Sequence, residues 1–163
     1  MKRMPALPRN SRAPDFTLAD ADGREFNLYD ALADGPVLLT FFKTDCPTCQ
    51  YGLPFIDRLA TSLDGSAATA VAVSQDTACE GEMFKIEFDY ATRQVFDPQW
   101  SGYEVSNAYG LTNVPTVFLV EPDGRIAHTM VSWSKADVEE IARKLGVAAP
   151  FRPGESVLPF RPG

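Results

Sequence analysis

The stretch Val37-Leu38-Leu39-Thr40-Phe41-Phe42-Lys43-Thr44-Asp45-Cys46-Pro47-Thr48-Cys49 decides how this chain is read. Val37 to Phe42 is an apolar run interrupted only by Thr40, as expected of a central strand buried on both faces. Lys43, Thr44 and Asp45 are polar, and a C-x-x-C pair follows them. Beyond it, Leu53, Phe55, Ile56, Leu59, Ala60 and Leu63 recur at spacings of three and four, which predicts an amphipathic helix from Pro47 to Leu63 that stops at Asp64-Gly65. Pro54 removes one backbone donor inside it and predicts a kink. A buried strand that ends in C-x-x-C and runs on into a helix points to reversible exchange between a dithiol and a disulfide.

Composition bounds the reading. A chain of 163 residues is long enough for one domain with a sizeable core and short for two. A formal net charge of -7 argues against general binding to nucleic acid or to an anionic membrane. No stretch approaches the ~20 apolar residues that cross a bilayer. The basic start, Met1 to Asn10, has no apolar run behind it, so the expected location is the cytoplasm. Three cysteines are too few for a disulfide scaffold. In a reducing compartment a C-x-x-C is catalytic or metal-binding rather than structural. Zinc needs a second pair of ligands, and the spacing of Cys79 and His128 suits no finger pattern, so neither metal nor cofactor is expected.

Outward from the motif, strands and helices alternate. Residues 1–14, with Pro5, Pro8 and Pro14, read as an extended N-terminal arm. Residues 15–18 and 25–28 read as a hairpin around Asp22-Gly23. Residues 70–73 form a further buried strand, 77–88 a helix, 94–96 a short strand and 105–109 a short helix ending at Gly110. Residues 116–120 and 125–129 flank the turn Glu121-Pro122-Asp123-Gly124. Ser134 caps a last helix whose apolar face is Val138, Ile141, Ala142 and Leu145, and Gly146 ends it. The result is an α/β domain over residues 15–146: a central mixed sheet flanked by helices, with an N-terminal β-hairpin extension. The Pro-rich tail, 147–163, holds Phe151-Arg152-Pro153-Gly154 and again Phe160-Arg161-Pro162-Gly163, and reads as mobile or loosely docked, with docking of the two phenylalanines on the body as the alternative.

Three segments carry a family resemblance. They are Ala13-Pro14-Asp15-Phe16-Thr17-Leu18, Phe41 to Cys49, and Tyr109-Gly110-Leu111-Thr112-Asn113-Val114-Pro115-Thr116-Val117-Phe118-Leu119-Val120 with the Asp123-Gly124 turn after it. Together they resemble the thioredoxin-like superfamily in its TlpA-type and redoxin branch, related to the AhpC/TSA group, over roughly residues 13–146. The resemblance implies a thioredoxin-like fold with Cys46 as attacking thiol and Cys49 as resolving thiol. Cys46 would sit at a helix N-terminus, where unpaired N–H groups favour a thiolate. Pro47 suits the first helical position, and Thr48 shapes the site between the cysteines. Pro115 corresponds to a proline in the cis state that faces the C-x-x-C, and the Val114 backbone would pair with an incoming extended peptide.

The chain departs from that pattern in places. Asp45 stands where many relatives have Trp, and its carboxylate should oppose the Cys46 thiolate. Thr40 replaces a buried Asp, and Gly52 stands where some TlpA-type proteins have Glu, so the usual proton acceptor for Cys49 is missing. Asp76 is a substitute candidate, with helix capping as its alternative. Cys79 either reaches the site edge or is a buried or isolated thiol. His128, Trp100 and Trp133 read as structural residues. The expected activity is thiol–disulfide oxidoreduction, most simply reduction, with protein disulfides as substrates and a thiol as electron donor. A peroxiredoxin-like peroxidase is the alternative, but Leu39 and Lys43 replace the Pro and Thr of P-x-x-x-T-x-x-C. A non-enzymatic redox sensor or interaction module, with the cysteine pair toggling the tail, is the third reading.

Overall fold

The computed structural model describes residues 6–163. Thr17–Ala19 (β1) pairs antiparallel with Glu25–Asn27 (β2), and Gly23 in the turn has φ +80°, a conformation that glycine adopts without steric cost. The expected hairpin therefore exists, but its second strand ends early. Leu28–Leu32 (α1) begins where the strand was expected to end, because the Asn27 side chain accepts the Asp30 N–H at 2.8 Å and caps a helix. Five residues are too few to display a helical period in sequence.

From there the elements follow the predicted order. They are Val37–Phe42 (β3), Pro47–Thr61 (α2), Thr69–Ser74 (β4), Ala78–Glu87 (α3) and Gln94–Phe96 (β5). A 3-10 turn, Gln99–Ser101, leads to Glu104–Ala108 (α4) and Thr116–Val120 (β6). The chain closes with Ile126–Val131 (β7), Trp133–Ser134 (β8), Lys135–Leu145 (α5) and Phe160–Arg161 (β9). The main sheet has the order β5-β4-β3-β6-β7, with β4 parallel and β6 antiparallel to β3. β3 is thus central, and all six of its residues are buried. Pro54 lies within the uninterrupted span of α2.

Alternation along β3 divides the core. Val37, Leu39 and Phe41 pack with Phe16, Phe26 and Tyr109 on one face. On the other, Leu38 joins Ile56 and Leu59 of α2 and Val138 and Ile141 of α5, while Phe42 packs with Leu53. Each such side chain removed from water contributes roughly 1.5–3 kcal/mol, so β3 and α2 fix each other's position, and the loop between them is held at both ends.

Both terminal segments are tied down. Residues 1–5 of the expected arm lie outside the described residues. After them, the N–H groups of Leu7, Asn10 and Ala13 donate to the carbonyls of Tyr109, Ile126 and Gly124. The tail is docked, the alternative among its expected states, through Phe151 and not through the exposed Phe160. Phe151 packs on Phe55 and Trp133, Arg58 holds Glu155 through two bonds of 2.8 and 3.0 Å, and β9 pairs with β8. Composition alone reads such a segment as Pro-rich; its anchors are single residues whose partners lie from about twenty to about a hundred positions away. Trp133 is fully buried as expected, whereas Trp100 is 88% exposed.

Gly52 has a packing cause. A Cβ there would come within 2.7 Å of Trp133 Cε3, so the indole occupies the space a side chain would need. Replacing Gly52 with Ala should lower the urea midpoint at unchanged m-value. Overpacking costs about 1–3 kcal/mol, which outweighs the ~1 kcal/mol that Ala gains over Gly in a helix. A raised midpoint would show that the indole yields without cost.

Candidate redox active site

The strand-to-helix loop is held from three sides. The Phe42 carbonyl accepts the Gln75 N–H at 3.1 Å, the Asp76 carboxylate accepts the Thr44 N–H at 2.7 Å, and the Gln50 amide donates to the Thr44 carbonyl at 2.9 Å. Asp76 is therefore a loop clamp. The cap of α3 is its neighbour Thr77, whose hydroxyl accepts the Glu80 N–H. Cys46 then takes the N-cap of α2 with extended backbone, φ -90° and ψ 116°, and Pro47 enters the first turn. Sulfur does here what a Ser or Asp oxygen does in most caps: Cys46 Sγ accepts the Cys49 N–H at 3.2 Å.

The Val114–Pro115 bond is cis, and the Val114 carbonyl lies 3.5 Å from Cys46 Sγ, within reach of its thiol proton. Both cysteines are unbonded thiols. They differ in surroundings. Cys46 is half-buried, whereas Cys49 is fully buried among Phe42, Leu53, Ala72, Phe84 and Tyr90.

That difference separates their acidities. The hydrogen bond from the Cys49 thiol lowers the pKa of Cys46 to about 6, against its partial burial, and the N–H groups of Cys49 and Thr48 add to the lowering. The Asp45 carboxylate works against it, as the sequence suggested. Burial pushes the Cys49 thiol up, and its hydrogen bond to Cys46 pushes the same way. Asp76 raises Cys49 further by charge repulsion.

The structure brings Cys46, Cys49, Val114 and Pro115 together, with Asp45 and Pro47 exposed at the rim. Thr48 is 4% exposed, and its hydroxyl donates to the Pro162 carbonyl at 2.5 Å. Thr40 is buried in β3, leaving no carboxylate at that position. Cys79 is exposed in the first turn of α3, outside the cluster that buries Cys49. His128 of β7 meets Asp137 of α5 at 2.7 Å, outside the cluster that buries Cys49. Among the described residues no cluster of three His, Cys, Asp or Glu side chains could hold a metal ion. Two residues that sequence reasoning missed line the same rim, Asn113 and Ser132. Both bond to the tail, which nothing in the local sequence could show.

A dithiol at the opening of a helix, facing a cis-proline across the end of a mixed sheet, defines a redox enzyme of thioredoxin-like fold. The chain belongs to the AhpC/TSA family, whose model matches residues 10–129. It is 31% identical over 137 residues to the thiol-disulfide oxidoreductase ResA of Geobacillus thermodenitrificans, covering 83% of this chain and 76% of that protein. The thioredoxin domain of a thiol-disulfide oxidoreductase from Bacteroides vulgatus superposes with TM-score 0.75 at 23% identity, over 86% of this chain and 99% of that one. The peroxidoxin BcpB of Mycobacterium tuberculosis superposes with TM-score 0.68 at 22% identity, over 92% and 99%. These two structures share the fold and do not choose between the activities it hosts.

Alkylation by iodoacetamide reads the acidities directly. The rate at Cys46 should rise with pH through about 6 and flatten above it, since only the thiolate reacts. Cys49 should stay unmodified in the folded protein over the same range. Asp45→Asn should move the Cys46 midpoint to lower pH, and an upward move would contradict the charge argument.

Proposed function

We propose that this thiol-disulfide oxidoreductase is a reductase of protein disulfides in a reducing compartment such as the cytoplasm, with Cys46 attacking and Cys49 resolving. The observation that carries the reading is the division of labour in one helical turn: a reachable, acidic Cys46 capping a helix over a buried, non-acidic Cys49. A thiol whose pKa lies near ambient pH combines a large thiolate fraction with good nucleophilicity.

The Cys46 thiolate attacks one sulfur of a substrate disulfide. A mixed disulfide forms, and the other substrate sulfur leaves as a thiolate that takes a proton from water. Cys46 now carries no charge, so its repulsion of a Cys49 thiolate and its hydrogen bond to the Cys49 thiol are gone, while burial and Asp76 still disfavour the charge. The Cys49 thiol attacks Cys46 Sγ, forming the Cys46–Cys49 disulfide and expelling the second substrate thiolate, which takes up the proton that Cys49 loses. Two electrons have passed to the substrate. A dithiol donor returns them by the same exchange in reverse.

In an insulin-reduction assay fed by a dithiol donor, wild type should turn over. Cys46→Ser should fall to background. Cys49→Ser should accumulate a mixed disulfide at Cys46 that is visible by mass spectrometry. Absence of insulin turnover, with rapid consumption of hydrogen peroxide by the same preparation, would move the assignment to a thiol peroxidase.

A further inference from the structure

The segment that ends the chain crosses the redox site, and it does so through its backbone. Three separate parts of the fold meet it there. The Thr48 hydroxyl of α2 donates to the Pro162 carbonyl at 2.5 Å. The Asn113 amide, just before the cis bond, donates to the Gly163 carbonyl at 2.9 Å. The Gly163 N–H donates to Ser132 Oγ at 3.0 Å, and the Ser132 N–H in turn donates to the Pro115 carbonyl at 2.9 Å. Gly163 lies so close over Val114 that a Cβ on it would collide with the Val114 carbonyl. That carbonyl is the acceptor which the Cys46 thiol also reaches.

These bonds are indifferent to side chains. Pro162 is exposed, and Gly163 has no side chain to read. The seat offers one hydroxyl donor, one amide donor and one hydroxyl acceptor to a peptide backbone, which is the demand of any extended segment. Upstream, the anchoring is of another kind: Trp133 Nε1 donates to the Leu158 carbonyl and the Leu158 N–H to Tyr51 Oη, both at 2.8 Å, while Phe151 is packed among aromatic rings. The segment is thus fixed as far as residue 158 by the core; beyond it, the site adds to the short β8–β9 pairing, the Lys135 N–H on the Pro159 carbonyl and the Arg161 guanidinium over the Tyr51 ring.

We propose that residues 160–163 act as an intramolecular strap, filling the trough between the start of α2 and the Val114–Pro115 turn where the resemblance places an extended substrate. This rests on the disulfide-reductase reading. A protein disulfide gains the Val114 backbone beside Cys46 only when the strap lifts. Cys46 itself stays half-exposed, so a small disulfide reaches it with the strap in place.

Gly163→Val in the full chain tests this, because the new side chain cannot sit against the Val114 carbonyl. Deletion of residues 160–163 is the companion variant, since it leaves the Leu158, Glu155 and Phe151 anchors intact. For a seat occupied nine-tenths of the time, freeing it raises apparent affinity about tenfold. Both variants should therefore raise kcat/KM for insulin about tenfold, through KM, while turnover of hydroxyethyl disulfide changes less than about twofold. Unchanged or reduced insulin turnover with hydroxyethyl disulfide activity retained would overturn the strap. Loss on both substrates together with a lower Tm would also overturn it and make the segment a structural brace. A wild type inactive on both disulfides would overturn the reductase reading first, and with it any site for the strap to cover.

Discussion

A helix that opens on cysteine hands its first amides to sulfur, and the rest of this site follows from that substitution. An N-cap must accept hydrogen bonds, and a thiolate accepts better than a thiol. The fold therefore favours charge on Cys46 wherever it holds α2 in place. It holds α2 by pressing Ile56 and Leu59 onto Leu38 of β3, and by clamping the intervening loop with Asp76 and Gln50. Hydrophobic burial at one end of the helix is in this way converted into acidity at the other.

The frame of the fold was legible because its signals are local. The apolar run of β3, the period of α2, the Ser134 cap and the Gly146 stop each lie within a few residues of what they specify. The short α1 escaped, since a cap and one turn leave no period to read. So did the hydrogen-bonded anchors of the tail. Its anchors pair Arg58 with Glu155, Trp133 with Leu158 and Asn113 with Gly163, contacts between residues that neither spacing nor composition associates. The same limit applies at the site. The C-x-x-C and Val-Pro-Thr motifs announced Cys46, Cys49, Val114 and Pro115, while Asn113 and Ser132 carry no pattern of their own.

The departures from the family pattern become coherent once Trp133 is placed. It fills the space beside Gly52, meets Tyr51 edge-on and Phe55 at a tilt, and bonds to the tail through its indole N–H. A carboxylate at position 52 and this indole could not share that space. With Thr40 in the sheet as well, Cys49 has an apolar surround, and the carboxylate that acts on it, Asp76, holds the proton on rather than drawing it off. In the proposed mechanism resolution then depends on the loss of charge at Cys46, and the electrostatics of the pair would set the order of the two attacks.

The tryptophan bond to Leu158 lies only two positions ahead of residue 160, where the strap begins. A segment anchored that near its seat stays at an effective concentration in the millimolar range after release. A diffusing oligopeptide at micromolar levels competes poorly against so near a neighbour. A folded client that lays down additional surface when it arrives does not face the same handicap, so the placing of that anchor would tune the enzyme toward whole proteins over fragments.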